Sequence, residues 1–138
     1  MLTAVLDTNV LVSGVVSRGG IPGQILHAWQ EQEFALAVSQ TILTEVARTL
    51  QDPYFRQRLT EQNRAEVLRL LLEQGILTEL TVQVEGIATN PEDDLILATA
   101  VSAQADYLVT GDRKLQGIGS YGRVTIISPR AFLAILHE

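Results

Sequence analysis

The sequence predicts an α/β fold built on a mostly parallel sheet. Short apolar runs that read as strands alternate along the chain with longer segments of helical periodicity, the pattern of repeated strand–helix–strand units. Two of those runs, residues 2–6 and 107–109, are apolar enough to be buried on both faces. Each is followed at or just past its end by an aspartate, Asp7 and Asp112.

The elements follow in order. Residues 2–6 form the first strand, a short helix follows it, and Ser17-Arg18-Gly19-Gly20 is a loop. Pro22 suits the opening turn of a helix that runs to about Gln32. Residues 34–38 are the second strand. Ser39 is the expected N-cap of a helix over roughly 40–50, in which Ile42, Leu43, Val46 and Leu50 recur at helical spacing. Asp52-Pro53 interrupts that helix. A helical region from about Pro53 to Gln74 comes next, with a new start at Thr60 and Gly75 as its stop. A third strand is expected within 76–84. Asn90-Pro91 opens a helix reaching about Gln104, residues 107–109 and 124–127 are the last strands, and Ser128-Pro129 starts a helix to Leu136. With no repeat, low-complexity tract or linker, residues 1–138 are expected to form one domain.

Composition narrows the function. A mean hydropathy of +0.18 and apolar runs of only a few residues exclude the roughly 20-residue helix that spans a membrane. The N-terminus has neither a basic flank nor a small-residue cleavage site, so a cytoplasmic protein is expected. No cysteine is present, which excludes disulfides, thiolate metal sites and cysteine nucleophiles. The two histidines, His27 and His137, are too far apart in sequence to suggest zinc. The net charge of −6 speaks against nonspecific nucleic-acid binding by the whole surface, although an acidic metal site would account for part of it. Arg48, Arg56, Arg58, Arg64 and Arg69 are candidates for a phosphate-binding face. The acids interleaved with them favour ordinary solvated helix charges.

The acids themselves carry the chemistry. In an open parallel sheet the carboxyl ends of the strands share one edge, and ligands bind there. Asp7 and Asp112 both fall on that edge. Either alone reads as a helix cap, and the coincidence of two is harder to dismiss. Gly111 is expected to permit a sharp turn and close backbone approach beside Asp112. Asn90 through Asp94 satisfies a helix N-terminus, where acids are favoured by the macrodipole. Within it Asp93 precedes Ile96, Leu97 and Ala100 by three, four and seven residues and so lies on the sheet-facing stripe. Asp94 is turned about 100° from it. Glu45 sits in the second turn of a helix that begins at the same edge, within reach of the aspartates. Carboxylates crowded together repel unless a divalent cation neutralises them, so the cluster points to Mg²⁺ or Mn²⁺ held by oxygen ligands. Asn9 and Thr110 are expected to hold neighbouring carboxylates in place.

These residues, taken in order, resemble the PIN-domain nucleases. The resemblance opens with Leu6-Asp7-Thr8-Asn9, continues through Val10-Leu11-Val12-Ser13 to Glu45, and resumes at Asp93 ahead of Ile96-Leu97-Ala98-Thr99-Ala100. It closes with Ala105-Asp106-Tyr107-Leu108-Val109-Thr110-Gly111-Asp112. The tract from Pro91 to Asp112 looks especially like PIN-family toxins of toxin–antitoxin pairs. The resemblance implies a three-layer α/β/α sandwich, a metal-dependent ribonuclease activity on an RNA substrate, frequent homodimers and an antitoxin partner. Carried over residue by residue, Asp7, Glu45, Asp93 and Asp112 are the acidic quartet, with Asn9 and Thr110 in support. Many relatives carry a further acid shortly after the fourth, where this chain has Arg113-Lys114-Leu115-Gln116, and that departure weakens a fully occupied second metal site.

Other readings fit less well. Phosphatases working through an aspartyl-phosphate usually carry a second aspartate two residues on, where this chain has Asn9. No Gly-x-Gly-x-x-Gly follows the first strand, which argues against a dinucleotide site. A catalytically silent PIN-like module that binds RNA or protein is the remaining alternative.

Overall fold

The structure is a computed structural model describing residues 1–138. A six-stranded sheet runs in the order β3-β2-β1-β4-β6-β5, where β1 is Thr3–Leu6, β2 Ala35–Val38, β3 Ile76–Leu77, β4 Tyr107–Val109, β5 Ser120–Tyr121 and β6 Val124–Ile127. All pairings are parallel except β5 with β6. The central strand β1 is solvent-free at Ala4, Val5 and Leu6 in succession. Successive strand residues point to opposite faces, so both faces of the sheet are covered, as the sandwich requires.

Helices supply that cover. They are α1 (Thr8–Val16), α2 (Ile21–Gln30), α3 (Gln40–Thr49), α4 (Pro53–Arg58), α5 (Glu61–Gln74), α6 (Pro91–Ser102), α7 (Arg113–Gln116) and α8 (Pro129–Leu136). Of these, α1 packs on α2 and α3, α2 on α8, and α6 lies against β1, β2 and β4. None is long and apolar enough to cross a membrane. The local signals explain the starts. Ser39, Thr60, Asn90 and Ser128 each accept a backbone N–H of the first turn, and Pro22, Pro53, Pro91 and Pro129 occupy opening positions. Phe34, Leu36, Ile42, Leu97, Leu108 and Phe132 are among the largest fully buried side chains of a continuous core, and the Phe34 and Phe132 rings meet edge to face at 5.0 Å.

The structure departs from the sequence reading in three places. The third strand is only Ile76–Leu77, and the chain from 78 to 90 follows no regular element. The sheet also ends in a hairpin of β5 and β6 where the sequence pattern shows a single strand. Its two-residue loop is Gly122-Arg123, with Gly122 at φ 58, a left-handed value that suits glycine in a tight hairpin. Gly111 has no left-handed φ, and a Cβ there would meet nothing within 4 Å, so neither a strained turn nor a close backbone approach demands glycine.

Candidate active site

Asp7 follows β1 and, at 7% exposure, is a buried carboxylate. Its side chain does not cap α1. Instead Asp7 Oδ2 accepts a 2.8 Å hydrogen bond from Thr110 Oγ1, reached across the β1–β4 pair. The same Thr110 hydroxyl oxygen accepts the backbone N–H of Asp112 at 3.1 Å. One fully buried hydroxyl therefore ties the two strand-end aspartates together. Asp112 Oδ1 accepts Lys114 N–H at 2.8 Å and caps the short α7, the ordinary role for an acid in its place. The Gln116 amide donates to the Thr110 carbonyl at 2.7 Å, closing that turn.

Glu45 projects from the second turn of α3, and Glu45 Oε2 accepts a 2.8 Å hydrogen bond from Thr8 Oγ1. Thr8 is buried and Asn9 is exposed, so the hydroxyl beside Asp7, and not the amide expected for this task, touches Glu45. A local signal for this exists. The first residue of a helix that leaves a sheet edge turns toward that edge, and threonine there offers a donor.

The acids of α6 take different places. Asp94 is the more buried, at 7% exposure, and accepts Gly86 N–H at 3.1 Å and Ala88 N–H at 2.7 Å. It pins the irregular chain before α6 rather than pointing into solvent, and that chain is what periodicity on α6 alone could not reveal. Asp93 is half-buried and lines a small cavity of about 40 Å³ with Asp112, Thr89 and Lys114.

Electrostatics link the four candidates. Burial pushes the Asp7 carboxyl above its ordinary 3.8, against the pull of hydrogen bonds from Thr110 and the Thr8 backbone, and the charge of Asp112 adds to the rise. Burial also raises Asp93, followed by repulsion from Asp7, Asp112, Glu92 and Asp94. Glu45 is raised by burial first, then by a shared hydrogen bond with Glu92 and by the charges of Glu92 and Asp7, with Thr8 opposing. Hydrogen bonds through Thr8 and Thr110 link the Asp7 segment to Glu45 on one side and to Asp112 on the other, and Asp93 lines a cavity with Asp112. The donor set is all carboxylate and hydroxyl oxygen, which fits a hard divalent cation. Asp7, Glu45 and Asp112 each accept a protein donor, and Asp93 accepts none. No three Asp, Glu or His groups lie close enough to share one ion. The shared coordination sphere expected from the sequence is thus not closed in these side-chain positions.

Strand order, the edge-on acids and the helices on both faces define an α/β scaffold with an acidic, oxygen-rich site at the carboxyl edge of its sheet. A family model for the PIN domain matches residues 3–114, a span that includes every one of these carboxylates, and the chain belongs to the PIN-domain family. An uncharacterized protein of Methanocaldococcus jannaschii is 26% identical over 115 residues, which is 83% of this chain and 73% of that protein. Two solved structures share the fold. A chain of VapBC2 from Rickettsia felis, crystallised bound to a DNA fragment from their promoter, has a TM-score of 0.63 at 16% identity, covering 92% of this chain and 98% of that one. A chain of FitAcB from Neisseria gonorrhoeae has a TM-score of 0.55 at 18% identity, with the same coverage of 92% and 98%.

Proposed function

We propose that this protein is a divalent-metal-dependent endoribonuclease, with Asp7, Glu45, Asp93 and Asp112 as its working groups. The observation that carries the reading is the gathering of these carboxylates at the carboxyl edge of a parallel sheet, where burial first and neighbouring acids second raise the pKa values of Asp7, Glu45 and Asp93. Burying an acid is costly, and at Asp7, whose side chain caps no helix, a structural role would be served equally well by a neutral side chain. Mg²⁺ or Mn²⁺ held by the quartet would supply Lewis acidity at the scissile phosphate.

The chain's own groups do the rest. Thr110 fixes Asp7 against Asp112, and Thr8 fixes Glu45. Glu45, half-buried and with a raised pKa, is placed to accept a proton from the attacking water. The water oxygen bonds to phosphorus, the bond from phosphorus to the 3′ oxygen breaks, and that oxygen takes a proton from solvent. The products carry 5′-phosphate and 3′-hydroxyl ends. Incubation of the purified chain with mixed structured RNAs and Mn²⁺, followed by end-group labelling, tests this. Products with 5′-phosphate ends and loss of cleavage on chelation are expected. Cleavage that persists in chelator, or 2′,3′-cyclic phosphate ends, would remove the proposal.

We further propose a cytoplasmic toxin of a toxin–antitoxin pair, one domain over 1–138, acting as a homodimer. Support comes from the family and from the VapBC2 assembly among the structural neighbours. The open carboxylate spacing favours one second reading, a silent PIN-like module that binds RNA or protein. Mn²⁺ binding without turnover on any RNA would select it.

A further inference from the structure

Four of the chain's ten cations are committed elsewhere. The Arg58 guanidinium stacks on the Tyr54 ring with Cζ 3.6 Å from its centroid and donates to the Tyr54 carbonyl. Arg64 donates to the Leu59 carbonyl, Arg69 is paired with Glu66 and Glu73, and Arg123 lies 3.6 Å from Asp106. Two cations instead border the carboxylates. Arg48 is on α3, three residues beyond Glu45, and its Nη2 is 3.9 Å from Oε1 of Glu92, the residue before Asp93. Both partners are exposed, at 64% and 54% of their side-chain area, so the pair is loose and contributes little to stability. At the other end Lys114, but not Arg113, lines the cavity shared with Asp93 and Asp112. Lys114 forms no ion pair.

We propose that Arg48 and Lys114 bind the phosphates on either side of the scissile one, so that an RNA strand runs across the quartet from the Glu45 end to the Asp112 end. The proposal rests on the ribonuclease reading above and adds the path of its substrate. An acidic edge in a chain of net charge −6 repels a polyanion, and exposed cations on both sides of that edge give the flanking phosphates somewhere to dock. Arginine at the Glu45 end offers a two-pronged contact, and lysine at the other a point charge. Gly111, which carries no side chain, leaves the approach to Asp112 open, since even a Cβ there would meet no atom within 4 Å. Glu92 competes with RNA for Arg48. It acts as a placeholder that the incoming phosphate displaces.

The test is fluorescence anisotropy of a short labelled single-stranded RNA with the full chain in Ca²⁺, a hard cation that takes the same oxygen ligands. Affinity is followed across a salt series. Arg48→Gln and Lys114→Gln should each weaken binding about tenfold and lower the slope of log affinity against log salt by about 0.7, the value for one phosphate contact on a single strand. Arg48→Lys should keep the slope, and Glu92→Gln should tighten binding severalfold. Thermal melts of these exposed-site variants check that they fold. Unchanged slopes in both glutamine variants, with the wild type binding RNA, overturn the track and leave the ribonuclease reading standing. Weaker binding in Glu92→Gln also overturns it, since that is the behaviour of a metal ligand. A wild type that neither binds nor cleaves RNA overturns both.

Discussion

On the proposed nuclease reading, Asp7 sets stability against function in one side chain. Its raised pKa means that the folded protein holds the proton more tightly than the unfolded chain does. The stability associated with that proton is complete below the unfolded value near 3.8 and is lost as pH rises through the higher folded value. At neutral pH the ionised group is therefore a net cost. Asp7→Asn should abolish cleavage and raise the melting temperature at pH 7 by a few degrees, about 1 kcal/mol, with the gain shrinking toward pH 4. Melts of the two proteins across that range check it, and a destabilised Asp7→Asn at pH 7 would count against the burial argument. Thr110→Val removes the donor to Asp7 Oδ2 and should push the Asp7 pKa further up. The acid limb of the activity profile should then shift to higher pH, and an unmoved limb would mean that the Thr110 hydroxyl does not tune Asp7. Asp93 and Asp94 separate in the same way. Asp94→Ala leaves the Gly86 and Ala88 amides without partners and should cost about 1–3 kcal/mol, whereas Asp93→Ala should leave stability intact and abolish activity.

At the scale of elements, two helices have to be held at a fixed separation for Glu45 and Asp93 to face Asp7. A buried contact does so. Ser39 Oγ, the N-cap of α3, lies 2.8 Å from Thr99 Oγ1 of α6, and Thr99 Oγ1 donates in turn to the Leu95 carbonyl. Ser39→Ala removes both the cap and the bridge and should cost about 1–2 kcal/mol. It should also lower activity more than an equal loss of stability made at the exposed α5 surface, and equal losses would deny the bridge a part in alignment. The caps and opening prolines are legible in the sequence because each acts within one turn of its own helix. The break at Thr60 between α4 and α5 is legible for the same reason. The two-residue β3 is not, because it depends on pairing with the distant β2, and the Asp94-pinned chain before α6 is not, because its contacts to Gly86 and Ala88 lie in an irregular stretch with no periodicity. The Gly122-Arg123 hairpin carries a usable local signal in its glycine, yet its strand of two residues is too short to show alternation.

At the scale of the molecule, parallel order decides where the chemistry sits. The β1–β4 pairing brings residues 103 apart in sequence to a 2.8 Å hydrogen bond, and no local pattern contains that contact. What the sequence does contain is the register rule that strand ends share an edge, which places Asp7 and Asp112 on that edge, while Thr8 is marked only as the first residue of the helix that leaves it. A cation bound only by the native arrangement stabilises it by mass action. Mn²⁺ at a hundredfold excess over its Kd should add about 2.7 kcal/mol, raise the melting temperature accordingly, and lose that effect on chelation or in Asp7→Asn. The most direct measurement is anomalous diffraction at the manganese edge from crystals soaked in Mn²⁺. The account predicts a peak ligated by Asp7 and at least two of Glu45, Asp93 and Asp112, with the side chains drawn together from their present hydrogen bonds. No manganese at that edge in a saturating soak, or a peak bound elsewhere on the surface, would contradict it.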